Sequence, residues 1–142
     1  MPLGREVQMD NKAVITRLFD EVLNQYNLYL LNELIGADYV EHNPVSGQLP
    51  GMAGIKAKLV ALRQAFPDIR FSLEELIGEG AAVAARYGWE GTHMAEFMGI
   101  QPTGNAVRVR GMDFYRLQNA RIVEHWDCVD EIGLLRQLGA LH

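Results

Sequence analysis

Asp113 and Asp127 are the two residues whose types and spacing most suggest chemistry, provided the strands that carry them pair. Val107, Val109, Asp113, Tyr115 and Leu117 alternate with Arg108, Arg110, Met112, Phe114 and Arg116. Beyond Gln118-Asn119-Ala120-Arg121 the alternation resumes through Ile122-Val123-Glu124-His125-Trp126-Asp127-Cys128. Period-2 runs around a short polar turn mark an antiparallel hairpin. A three-residue loop pairing Gln118 with Ile122 sets Leu117 against Val123, Arg116 against Glu124, Phe114 against Trp126 and Asp113 against Asp127. Apolar and opposite-charge pairs, worth about 0.2–1 kcal/mol each, favour this register. A two-residue loop sets Arg116 against Val123 and Tyr115 against Glu124, a poorer match. The favoured loop needs one left-handed residue, assigned to Ala120.

Two carboxylates facing each other on a partly buried strand pair raise one another's pKa, which suits general acid/base work. On a face open to water the same pair is inert. An enolate formed by such a base needs a donor for its oxygen, and His93, His42, Asn43 and Tyr115 are the available side chains. His93 lies where a strand gives way to an apolar loop and either points into a cavity or caps the turn. His42 and Asn43 precede Pro44, so they contact substrate or bond loop backbone. His125 shares the face of Asp127. Trp89, Phe97 and Met98 read as core or as the wall a hydrophobic substrate would touch. No short histidine spacing points to a metal, so none is expected. Neither a glycine-rich phosphate loop nor a nucleophile elbow is present, and Cys128 falls on the face away from the aspartates.

The elements that must position these groups follow from periodicity. Val14, Ile15, Leu18, Phe19, Val22, Leu23 and Tyr26 recur at helical spacing after a cap at Asp10 or Asn11. Leu28 to Ile35 reads as a short helix ended by Gly36, and Asp38 to His42 as a short strand. Asn43 to Gly51 is a loop. A third helix runs from about Met52 to Phe66, with Lys56, Lys58, Arg63 and Gln64 outward. Strands are expected over Ile69 to Ile77 and Ala82 to Thr92, ahead of the hairpin. A last helix begins after Asp130, its cap. That order is α+β, with three to four helices over a curved antiparallel sheet and a pocket on the concave face. The other face, carrying Phe114 and Trp126, then needs a cover, and a homodimer or tetramer supplies it.

The chain has 142 residues, expected as a loose arm over 1–9 and a single domain over 10–142. A net charge of −5 without a lysine/arginine run argues against nucleic acid. One cysteine fits a reducing cytoplasm, and no apolar stretch reads as a membrane span or signal peptide.

Tyr39 to Pro44 (YVEHNP), Gly91 to His93 (GTH), Pro102 to Gly104, Glu124 to Asp127 and Asp130 to Gly139 (DEIGLLRQLG), in this order, resemble the SnoaL-like polyketide cyclases of the NTF2-like cone fold. The likeness spans roughly Lys12 to Gly139. It implies intramolecular aldol ring closure without metal or cofactor, with Asp127 as general acid/base and His93 retained. A pocket histidine of those cyclases falls on Asp113, a departure that changes the proton chemistry. Three readings stay open: a SnoaL-like enzyme acting on a hydrophobic carbonyl compound; a hydrolase resembling the limonene epoxide hydrolases, with Asp113, Asp127 and Arg86; and a small-molecule-binding module.

Overall fold

The computed structural model describes residues 11–141; the expected arm over 1–9, Asp10 and His142 lie outside them. Helix α1 spans residues 11–24, and its second half, Leu18–Asn24, is π-helical. A 3-10 turn at Leu28–Leu30 runs into α2 (Leu31–Leu34). Then come β1 (Ile35–Glu41), α3 (Gly51–Ala65), β2 (Arg70–Glu79), β3 (Ala82–Thr92), β4 (Ala106–Gln118), β5 (Arg121–Val129) and α4 (Glu131–Gln137). The five strands form one curved sheet in the order β1-β5-β4-β3-β2. Strand β1 lies parallel to β5, and the other neighbours are antiparallel. The class is α+β, as the pattern predicts.

Strand β4 shows why the sheet has two characters. Val107, Val109, Gly111, Asp113, Tyr115 and Leu117 are buried, and Arg108, Arg110, Met112, Phe114 and Arg116 are exposed. Period-2 patterning alone produces this split. The buried row meets Ile15, Phe19 and Val22 of α1, Leu31 and Leu34 of α2, and Val83, Tyr87 and Trp89 of β3 in one core. Gly111 is needed in that row, because a Cβ there would come within 2.6 Å of the Tyr87 ring that crosses it. Among the described residues, no helix is long and apolar enough to cross a membrane.

The hairpin turn differs from the expected one. Gln118 pairs with Arg121, so the loop has two residues, and Asn119 (φ 53°) and Ala120 (φ 59°) are both left-handed. That is the primed geometry whose twist matches paired strands. The register slips between Arg116 and Leu117, leaving Val123 as an extra, bulged residue. The bulge restores Arg116 opposite Glu124 and Asp113 opposite Asp127. A shorter turn and one bulge therefore reach the register predicted for a longer turn.

The bulge also explains Gly36. It does not end a helix: α2 stops at Leu34, and Ile35 and Gly36 already belong to β1. A Cβ on Gly36 would sit 3.0 Å from Val123 Cγ1, so its missing side chain admits the bulged residue of β5. Arg63, expected outward, instead donates to the carbonyls of Leu23 and Asn24 at 2.9 and 3.1 Å and closes the end of α1. Asp130 caps α4 as expected, its Oδ1 accepting from the Gly133 N–H at 2.9 Å.

Ala120 in the left-handed region costs about 1–2 kcal/mol that glycine avoids. Ala120→Gly is therefore expected to stabilise the chain by about 1 kcal/mol, net of glycine's greater unfolded-state entropy. The check is a higher urea midpoint at unchanged slope.

Candidate active site

Three strands deliver the site. Pairing of β4 with β5 sets Asp113 against Asp127 and Tyr115 against His125, and parallel pairing of β1 sets Glu41 against His125. Alternation turns Asp113, Tyr115, His125 and Asp127 to the inner face. Asp113 is only 8% exposed, so its surroundings decide whether a charge can stay there.

They supply a cation. The His125 side chain, 12% exposed, lies between two carboxylates: Nδ1 is 2.8 Å from Glu41 Oε1, and Nε2 is 3.2 Å from Asp113 Oδ1. The first contact is a hydrogen bond. The second is an ion-pair separation whose atoms are not aligned for a hydrogen bond. Burial disfavours the imidazolium, but Asp113 and Glu41 outweigh it and push the His125 pKa up to about 9. The outer groups are satisfied in turn. Tyr115 Oη donates to Asp113 Oδ2 at 2.5 Å, and its ring stacks on His125. Tyr39 Oη donates to Glu41 Oε1 at 3.1 Å, and the Asn43 N–H donates to Glu41 Oε2 at 3.2 Å. Burial raises the Glu41 pKa, but its bonds to His125 and Asn43 prevail and hold it below the usual range. Burial, reinforced by the neighbouring carboxylates, drives the Tyr39 and Tyr115 hydroxyls well above theirs, so both remain donors.

Asp127 is treated differently. Its backbone N–H donates to Asn43 Oδ1 at 2.9 Å, which fixes the strand end. Its carboxylate is 14% exposed, and its nearest cation is Lys58 Nζ at 3.8 Å. None of the hydrogen bonds among the described residues ends on that carboxylate. Burial raises the Asp127 pKa, helped by Asp113 and Glu41 and opposed by Lys58 and His125. Ligand atoms of Asp113, His125 and Asp127 lie within 4.8 Å of one another, close enough to share an ion. With a pKa near 9, His125 carries a proton at neutral pH, and a metal would have to displace it.

The remaining sequence candidates fall elsewhere. His93 is fully buried, stacked on Phe66, with Nδ1 accepting the Thr103 N–H at 3.2 Å. Trp89 and Phe97 pack edge-on against the same Phe66. Met98 is exposed and left-handed at the tip of the Phe97–Ile100 turn. His42 stacks at 4.2 Å on Trp126, which faces away from Asp127. Arg86 points outward to Glu74 and Glu75, so it cannot complete a hydrolase trio with the two aspartates. A surface depression lined by Asp20, Asn24, Arg63, Asp68 and Arg70 shares no residue with the site.

Glu41, Tyr39 and Lys58 were not among the expected site residues. Lys58 carries a readable signal: it lies three residues after Ile55 and four before Leu62, on the inward row of α3. Glu41 has none short of the parallel pairing itself.

The model of the SnoaL-like polyketide cyclase family matches residues 13–138. The chain belongs to that family. Among its relatives, the aklanonic acid methyl ester cyclase DnrD of Streptomyces peucetius is 32% identical over 130 residues, 90% of this chain and 84% of that one. The crystal structure of IdmH from Streptomyces antibioticus superposes with a TM-score of 0.80 at 32% identity, covering 91% of this chain and 98% of that one. TsrD from Streptomyces laurentii reaches 0.86 at 25% identity, covering 94% and 98%. In this SnoaL-like site, then, the two aspartates stand on the NTF2-like cone that the sequence predicts.

The His125 pKa has a consequence for stability. A folded value of about 9 against an ordinary 6.5 means a contribution fully present below pH 6.5 and lost as pH rises through 9. The melting temperature is expected to fall across that window, and to fall much less in His125→Gln, as scanning calorimetry would show.

Proposed function

We propose that this chain is a cofactor-independent cyclase-type enzyme in which Asp127 is the general acid/base acting on a hydrophobic carbonyl compound. One observation carries the reading: the two facing aspartates are unequally engaged. Asp113 is held by Tyr115 and His125, whereas the Asp127 carboxylate is left with a raised pKa and no donor bonded to it among the described residues. A base must be unengaged to accept a proton, and a carboxylate near the operating pH does so best.

The chemistry balances without a cofactor. Asp127 takes a proton from the carbon α to a carbonyl, and the electron pair moves onto that oxygen as an enolate. The enolate carbon attacks a second carbonyl of the same molecule, forming the new C–C bond and an alkoxide. Asp127 returns its proton to the alkoxide and ends as it began. Ile55, one turn before Lys58 on the inward row of α3, is only partly buried and supports a hydrophobic substrate.

The first compound to try is aklanonic acid methyl ester, for which DnrD is named. Asp127→Asn is expected to slow turnover by about 10²–10⁴-fold, with the melting temperature kept. Undiminished turnover in that variant would remove the acid/base role of Asp127, and no turnover by the wild-type chain would leave a binding module.

The same reading includes a homodimer through the outer face. Ile77, Ala84, Phe114 and Trp126 are register partners in one row across β2 to β5, beside exposed Met112. Such an apolar row favours a protein cover over water. Phe114→Lys is expected to convert a dimer into a monomer in light scattering at micromolar concentration; a wild-type monomer would refute the interface.

A further inference from the structure

An enolate mechanism needs a donor where the negative charge develops, and several donors around Asp127 are already engaged. Tyr115 Oη donates to Asp113, and Tyr39 Oη donates to Glu41. Both ring nitrogens of His125 face carboxylates. His93, just past the end of β3, stands eight residues from Ala85, the register neighbour of Asp113, and His42 is stacked on Trp126, which faces away from Asp127. Without a hydrogen bond among the described residues are His125 Nε2, the Asn43 side-chain amide nitrogen, the Tyr87 hydroxyl and Lys58, and the cation nearest the Asp127 carboxylate is Lys58. Its ammonium reaches the site from α3, only 35% of the side chain is exposed, and no hydrogen bond among the described residues involves it.

Distance matters as much as availability. At 3.8 Å, Lys58 Nζ is outside hydrogen-bond range of Asp127 Oδ2, so the pair attracts without closing. A C–H next to a C=O presents a proton and an oxygen side by side. The carboxylate and the ammonium present their two complements in the same arrangement.

We propose that Lys58 is a catalytic residue of this site, donating a hydrogen bond to the enolate oxygen while Asp127 holds the abstracted proton. The C–H bond breaks, its proton passes to Asp127, and its electron pair moves to the carbonyl oxygen facing Lys58. Lys58 keeps its own proton throughout. The inference rests on the reading of Asp127 as the base, and it defines the substrate class: an enolisable ketone or ester whose oxygen reaches the α3 side of the site. A preorganised cation at a developing oxyanion acts mainly on the transition state.

Two probes test this on the whole chain: α-hydrogen exchange of 2-tetralone in deuterium oxide, followed by NMR, and the apparent pKa of bound 2-naphthol, an aromatic enol, followed by absorbance. Lys58→Met is expected to slow exchange about a hundredfold and to abolish the downward shift of the naphthol pKa. Lys58→Arg is expected to retain part of both. Asp127→Asn should lose exchange yet keep the naphthol shift, because anion stabilisation does not need the base. Exchange lost in Asp127→Asn but unchanged in Lys58→Met, or a naphthol pKa insensitive to Lys58, overturns the role of Lys58 and leaves the base in place. Exchange that survives Asp127→Asn overturns both.

Discussion

The site depends on the His125 imidazolium, clamped between Glu41 and Asp113. An unpaired carboxylate at the burial of Asp113 would cost several kcal/mol, which is comparable with a large part of a small domain's net stability. His125 offsets that cost from one side and the Tyr115 hydroxyl from the other. The histidine needs its own compensation, because burial alone would strip its proton. Glu41 supplies it, and Glu41 is present only because β1 runs parallel to β5 and places it opposite His125. One long-range strand pairing thus decides the charge state of the whole cluster.

The clamp makes two identical side chains different. Asp113 and Asp127 are cross-strand partners, yet only Asp113 is ion-paired with His125 and hydrogen-bonded by Tyr115. Asp127 sees that cation at a distance and a lysine at 3.8 Å, and burial still keeps its pKa raised. The cyclase resemblance places a histidine at position 113. Here an aspartate stands there, and a protonated histidine at 125 faces it. A histidine therefore stands beside Asp127 on β5 rather than opposite it on β4.

Much of this was legible in the sequence because strand alternation is a local signal. The hairpin and the facing aspartates follow from β4 and β5 alone, and the fold class from the order of helical and strand periodicities along the chain. The turn is not legible for a physical reason: a two-residue loop plus a bulge at Val123 gives the same downstream register as a three-residue loop, so side-chain pairing does not separate them. Gly36 looked like a helix stop, although its role is to admit that bulge. The place of Glu41 is not legible, because parallel pairing between residues 84 apart in the chain leaves no local trace. The charge of Lys58 points outward and its spacing from Ile55 and Leu62 points inward; a long side chain can follow an apolar row and keep its ammonium at a polar site.

The most direct test is the pKa of Asp127, measured by carbon-detected NMR titration with Asp127→Asn as the assignment control. The account requires a value above the ordinary 3.8, set by burial and by the carboxylates behind His125. A value at or below 3.8 would make Asp127 a solvated or tightly bonded structural carboxylate, and the acid/base account of this site would be contradicted.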